Sequence, residues 1–358
     1  MQTILLRDRN LPDFPRGAGD MPQAAQRGEM LRILQREVYG VTPAFDGPLY
    51  AFVEARDPAA FGGRAAREWI RLSFPTPGGM YSFGFELLYP RQDRPLPAFI
   101  HLSFGPYNPA RPDALGECAP AEEILDNGYA LANVYYENVT SDTPAQDGLA
   151  RAYPAHGPHA WGKIGMWAFA ASRVMDYLLT RPEIDGARVA VCGWSRLGKT
   201  ALWCGAQDER FSLVISTQSG CGGAALMRGK AGERVGDITR RFGYWFCANY
   251  ARYAGKEDAA PFDQHFLLAC VAPRALFIGS AQEDEWADPL SEYLCAEAAS
   301  RAYRALGARG FISQGQPAPA PEQALFDGEI GYLMRRGGHA VIRADWLAFM
   351  RFRQKRGV

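Results

Sequence analysis

Neither sign of charge is in excess in this 358-residue sequence: lysine plus arginine and aspartate plus glutamate each number 39. A chain without a net field has no global attraction for nucleic acid or an anionic membrane, so neither is expected as a partner, and a neutral or small substrate is the simpler expectation. Long apolar runs are also lacking near the start. MQTILLRDRNLPDFP meets charge after a few apolar residues, too few for a signal peptide or a spanning helix, and a chain that natively begins at Met1 is expected in the cytoplasm. The seven cysteines are odd in number, lack the paired spacing of a metal site and mostly sit in apolar runs. They read as buried reduced thiols, with no metal and no disulfide framework. Histidine is scarce, at five residues, which leaves few candidates for a catalytic base. No internal repeat, heptad or low-complexity tract is visible.

What is present is a hydrophobic content of 47% against 22% charged residues, enough to bury a large core. Residues 1–45 read as an N-terminal arm with one helix, AAQRGEMLRILQREVYG, ending at Gly40; residues 46–358 read as one catalytic domain. Strands are expected at Arg67 to Phe74 and Met80 to Tyr89, joined by the turn-rich PTPGG. Beyond them strand and helix patterns alternate: LPAFIHLSF, the short helix AEEILDNG, YALANVYYE, the long helix KIGMWAFAASRVMDYLLT, then RVAVCGW, LVIST and RALFIGSA, with DWLAFMRFRQKR closing as a helix. Such alternation predicts a mostly parallel sheet covered by helices on both faces, and lead-in hairpins before a parallel half suit the α/β-hydrolase layout, a three-layer αβα sandwich.

One stretch, GWSRLGKT from Gly193 to Thr200, satisfies two motifs with incompatible chemistry. G-x-x-x-x-G-K-[ST] is a phosphate-cradling P-loop; Gly-x-Ser at a strand-to-helix turn is a nucleophile elbow. Both need a β-branched strand, a tight turn and a helix, so the local pattern does not separate them. The rest of the chain does. A P-loop belongs after an early strand and needs a downstream acid at a strand end for magnesium, whereas the following strand, LVISTQSG, ends in neutral polar residues. The elbow instead requires an acid and then a histidine further on, and both are present. GSAQEDEWADP crowds Glu283, Asp284, Glu285 and Asp288 after a strand, and RRGGHAV sets His339 in a Gly-flanked loop before the last helix. His101 at a strand end, His156 and His159 in a Pro-rich loop and His265 in an apolar segment are less suited to reach the elbow.

Ser-Arg-x-Gly-Lys after a Gly-x, followed by SGCGGAA, WFCANY, PFDQHFLLACVAPR, the acidic stretch ending in WADP and the late GGH, resembles the glucuronoyl esterases, carbohydrate esterase family fifteen, most closely the bacterial branch. The resemblance runs from about Trp161 to His339, more weakly upstream to about Leu96. It implies an α/β-hydrolase fold and a cofactor-free serine esterase that cleaves carbohydrate esters of glucuronic acid, with a glucuronoxylan-derived oligosaccharide as the substrate partner. Under it Ser195 is the nucleophile and His339 its base. Arg196 serves the oxyanion through its N–H and guanidinium, Lys199 holds hydroxyls of the uronate ring, and Trp286 packs on the sugar, with Trp245 beside the substrate. Members place the triad acid at either of two sites. Gln218, counted with the substrate-binding residues, occupies the one where fungal members have Glu, and a neutral amide can orient an imidazole but cannot offset an imidazolium charge. The acid is therefore expected in the later loop: Asp284, two residues before Trp286, or alternatively Glu285. Three departures are visible. Leu197 stands where the usual elbow has its second glycine, Trp194 stands where fungal members have a cysteine, and ERVGDITRRFGYW shows no clean counterpart of two further fungal sugar contacts. HLSFGPYN is a candidate source of a second oxyanion N–H. An acetyl or other acyl sugar esterase remains the alternative within the fold; a P-loop protein and a non-catalytic sugar-binding protein remain outside it.

Overall fold

The computed structural model describes residues 5–15, 23–105 and 119–358. Among these, one sheet contains β1 (Tyr50–Ala60), β2 (Ala65–Thr76), β3 (Gly79–Pro90), β4 (Leu96–Ser103), β5 (Ala130–Tyr135), β6 (Ile184–Trp194), β7 (Leu213–Thr217), β8 (Ala275–Ala281), β9 (Ala324–Leu325) and β10 (Ile330–Arg335). Their order across the sheet is 1-2-3-5-4-6-7-8-10-9. β1, β2, β3 and β5 pair antiparallel, the run from β5 through β4, β6, β7 and β8 to β10 is parallel, and β9 pairs antiparallel with β10. The helices are α1 (Gln23–Leu34), α2 (Ala121–Asp126), α3 (Gly148–Ala152), α4 (Lys163–Leu178), α5 (Arg196–Gln207), α6 (Val235–Phe242), α7 (His265–Ala269), α8 (Pro289–Ala305) and α9 (Arg343–Arg356).

The parallel strands are apolar on both faces, and the period of two sends alternate residues to two separate cores. Val189 and Val191 of β6, Val214 of β7 and Leu276 and Ile278 of β8 enter one, together with Trp167 of α4, Leu202 of α5, Leu267 of α7 and Leu294 of α8. Ala190 and Cys192, Leu213 and Ile215, and Ala275 and Phe277 enter the other, under Ile124 of α2 and Trp346 and Phe349 of α9. Two apolar faces on one sheet require helices on both sides, which gives the expected three-layer α/β-hydrolase arrangement.

Three elements leave no usable pattern in the sequence. β1 is an edge strand exposed along all but its last residue, so it shows no apolar alternation. α8 is buried over most of its surface, which leaves only a narrow polar edge at Glu297, Arg301 and Arg304. β10 is only six residues long. The arm's helix ends as read: α1 runs into a π-helical turn, Gln35–Tyr39, and stops at Gly40. All six described cysteines are buried and free; Cys118 lies outside the described residues.

Because β6, β7, β8 and β10 run parallel, the loops at their C-terminal ends lie side by side. This is where an open α/β sheet presents its binding crevice.

Candidate active site

The elbow is built by backbone conformation. Ser195 alone separates β6 from α5 and sits at φ 57°, ψ −125°, a region that costs a non-glycine residue strain and lifts its side chain clear of the sheet. A Cβ on Gly193 would lie 2.1 Å from the Leu197 carbonyl oxygen, so glycine is obligatory two residues before the serine. One on Gly198 would lie 3.0 Å from Ser216 Oγ and 3.1 Å from the Thr217 carbonyl oxygen, which places the second close approach one residue later than in the usual motif and leaves Leu197 free to enter the core.

Three strand ends then converge. Ser195 Oγ lies 3.0 Å from His339 Nε2, and His339 Nδ1 lies 2.6 Å from Asp284 Oδ2. The His339 side chain is 42% exposed and that of Asp284 3%, so the imidazole faces the cleft while its carboxylate partner is out of water. Trp194 packs beside the imidazole, ring centroids 5.0 Å apart, where a cysteine had been the family alternative. Glu285, the alternative acid, is exposed and has no part in this chain of contacts, because the turn after β8 directs Asp284 inward and the next residue outward.

The histidine loop is held from beneath. Arg335, at the end of β10, donates through Nη1 to Arg336 O (2.7 Å) and through Nη2 to Gly338 O (2.9 Å) and Ala340 O (2.5 Å), with Nε 3.1 Å from Asp345 Oδ2. Gln218 completes the grip: its Nε2 donates to Ala340 O (2.6 Å) and its Oε1 accepts from Ala340 N (2.9 Å). Both ends of the amide are thus occupied by the loop. Gln218 lines the cleft as expected but acts on the histidine loop rather than on a ligand.

A cleft of about 320 Å³ opens above the serine, lined among others by Arg196, Lys199, Gln218, Glu233, Trp245, Trp286 and His339. Lys199, one helical turn past Ser195, is buried and donates from Nζ to Ser219 O (2.5 Å). Burial holds its ammonium below the ordinary lysine range, and the nearby Glu233 carboxylate opposes that shift. The turn that matches the P-loop spacing carries instead the Ser195–His339–Asp284 contact chain, so the P-loop match is a coincidence of spacing. Trp286 is half exposed and offers a flat apolar surface to the cleft. Trp245 does not: only 4% exposed, it stacks on Phe242 (4.1 Å, 4°) with the Arg196 guanidinium 4.8 Å from its ring, so it forms wall rather than platform.

Two residues escaped the sequence reading. Glu233, the first residue of ERVGDITRRFGYW, lines the cleft, a place the sequence reading assigned to no residue of that segment before Trp245. Its position in the segment was the only signal. Asp142, in a loop after β5 with no motif, pairs with the Arg196 guanidinium and accepts from Trp245 Nε1 (2.6 Å) and the Tyr244 hydroxyl (3.2 Å). Arg196 is therefore fixed by a carboxylate and aromatic faces, and burial lowers its pKa from the usual arginine value. Its backbone N–H opens α5 directly after the serine, where the helix dipole favours negative charge. Pro106, Tyr107 and Asn108 of HLSFGPYN lie outside the described residues. Three of the other histidines are structural: His101 Nδ1 meets Asn133 Oδ1 at 3.0 Å, with burial lowering its pKa to about 4; His265 Nε2 meets Pro12 O at 3.1 Å; His159 Nδ1 meets Arg36 O at 3.0 Å; His156 is exposed.

The sequence model described as glucuronyl esterase, fungi, matches residues 75–307. A carbohydrate esterase from an unknown prokaryotic organism is 35% identical over 91% of this chain and 83% of its own. A 4-O-methyl-glucuronoyl methylesterase of Schizophyllum commune is 32% identical over 87% of this chain and 76% of its own. The solved structure of a glucuronoyl esterase from Solibacter usitatus superposes with a TM-score of 0.86 at 32% identity, covering 96% of this chain and 97% of that one. With an elbow serine, a histidine and a buried carboxylate brought to one cleft, and with relatives that match it nearly end to end, the chain belongs to the glucuronoyl esterase family.

Proposed function

We propose that this protein hydrolyses carboxyl esters of glucuronic acid, of the kind carried on glucuronoxylan, through an acyl-enzyme on Ser195. The observation that carries the reading is the contact chain Asp284–His339–Ser195 at the floor of a cleft whose walls combine an ammonium, a carboxylate and a half-exposed indole. As Ser195 Oγ attacks the ester carbonyl, His339 Nε2 takes its proton and Asp284 stabilises the imidazolium that forms. The oxyanion meets the Arg196 N–H at the head of α5 and the guanidinium held by Asp142. Collapse breaks the bond to the alcohol, which leaves with the proton from His339, and water then repeats the sequence on the acyl-enzyme to release the uronate and free Ser195.

Lys199 and Glu233 supply one donor and one acceptor for ring hydroxyls, and Trp286 supplies the flat surface that a sugar face favours. A fluorophosphonate probe should label the protein at Ser195 and fail to label Ser195→Ala. That variant should lose about 10³-fold or more in turnover on methyl glucuronate while staying folded. Hydrolysis that survives Ser195→Ala would overturn the assignment.

A further inference from the structure

The two cleft residues suited to hold a sugar ring, Glu233 and Trp286, sit on different loops that are tied to one another at the Trp286 carbonyl and at the Asp288 carboxylate. Trp286 O accepts from Glu233 N (3.0 Å) and from Lys230 Nζ (3.1 Å), and the same ammonium donates to Ala231 O (2.8 Å). Gly232 lies between them at φ 63°; a Cβ there would stand 2.3 Å from Glu285 O and 2.6 Å from Trp286 O, so the loops touch backbone to backbone. On the far side, Asp288 Oδ2 accepts from Ala231 N (2.8 Å) and from Ser291 Oγ (2.5 Å).

The last link comes from the start of the chain. Arg9, at the end of a 3-10 turn over Leu6–Arg9, is buried and donates through Nη1 to Arg228 O (2.7 Å) and to Ser291 Oγ (3.1 Å). Its segment is fastened separately from the cleft: Pro12 O meets His265 Nε2, and Phe14 packs on the rings of His265 and Phe266 at 5.1 and 5.6 Å. A donor anchored outside the site thus holds both loops, one at Arg228 and the other through Ser291 and Asp288.

We propose that Arg9 is a positioning residue for substrate binding: it fixes the 228–233 loop against the 284–288 loop, and so sets the distance between Glu233 and Trp286 across the sugar ring. This rests on the reading of the cleft as a uronate ester site. Without Arg9, two buried acceptors lose their donor and the loops lose their common anchor. The elbow, built on β6 and α5, has no contact with Arg9 among these bonds. The effect should therefore fall on sugar recognition and not on the ester chemistry itself, and small displacements of a binding group have large kinetic consequences.

The test uses the full chain with Arg9→Met and Arg9→Lys, the second retaining a donor; Ser291→Ala removes the same link from the other side and carries the test if Arg9→Met does not fold. Steady-state kinetics on methyl glucuronate and p-nitrophenyl acetate should show the ratio of the two kcat/KM values falling about tenfold in Arg9→Met, through KM for the uronate, with partial recovery in Arg9→Lys. Hydrogen exchange should rise at 228–234 and 284–288 together, with 195–200 still protected. An unchanged ratio beside a lowered melting temperature would make Arg9 a stabilising residue only and overturn the proposal. So would faster exchange confined to 228–234. If the wild-type protein does not cleave methyl glucuronate, the uronate reading fails, and the exchange measurement alone decides whether the two loops are coupled through Arg9.

Discussion

Replacing Asp284 with asparagine should be more damaging than removing its side chain, and the reason lies in a second contact. Asp284 Oδ2 faces His339 Nδ1 at 2.6 Å, while Oδ1 accepts from Ala287 N at 3.2 Å. In Asp284→Asn the backbone N–H still demands an acceptor, so the amide oxygen takes the Oδ1 place and the NH2 group is turned to the imidazole. Nδ1 must then be the unprotonated nitrogen and Nε2 carries the proton, which leaves nothing to accept the proton of Ser195 Oγ. A wrong tautomer in intact geometry, plus the lost charge, should lower kcat by about 10³ to 10⁴, or about 4 to 5.5 kcal/mol, with KM little changed. Asp284→Ala loses the charge but leaves Nδ1 free to find a water, so its kcat should stand at or above that of the asparagine variant. Both are measured on methyl glucuronate, with circular dichroism to confirm folding. If Asp284→Asn stays within tenfold of wild type, the tautomer argument is refuted. If Glu285→Gln is then the inactive variant, the acid is Glu285 in spite of its exposure.

Gln218→Glu keeps the acceptor for Ala340 N but sets a carboxylate oxygen against Ala340 O in place of a donor. It should cost about tenfold in kcat, of the order of one lost hydrogen bond, and should not rescue Asp284→Asn; rescue in the double variant would show that the loop yields and that both acid positions are usable. Burial raises the Glu292 carboxyl from the ordinary 4.5 to about 7, with the Asp284 charge adding to the shift and the bonds from Ser280 Oγ and Gly220 N opposing it. Between those values the folded protein binds a proton that the unfolded chain has released, so this group's contribution is fully present below about pH 4.5 and is lost as pH rises toward 7, at up to about 1.4 kcal/mol per pH unit. Urea unfolding at pH 5 and 7 should show a smaller pH dependence in Glu292→Gln than in wild type, and an equal dependence would remove Glu292 as its source.

The serine, the histidine and the chain order of the triad were legible because they depend on local pattern. Gly193 is dictated by the Leu197 carbonyl four residues on, the strand before Ser195 is apolar and β-branched, and a glycine-framed histidine before a last helix is visible in any reading of RRGGHAV. The three-layer class was legible for the same reason: alternation of period two with apolar residues at both parities leaves no face of the sheet for water. The sequence alone determined these things.

Choosing among Glu283, Asp284, Glu285 and Asp288 from composition was not possible, since four carboxylates in six residues are chemically alike until a turn sends one inward; only resemblance ranked them. Asp142 and Arg9 lie 54 and 219 residues from their partners Arg196 and Arg228, with no periodicity or motif to join them. Gln218 was counted as a substrate contact at the place of a fungal glutamate, yet its amide is consumed by Ala340, 122 residues away. Hydrogen bonds between distant segments depend on which strand lies next to which, and the order 5-4-6-7-8-10 is set by the packing of the whole sheet rather than by any window of the chain. Tertiary structure decided which polar groups support the site.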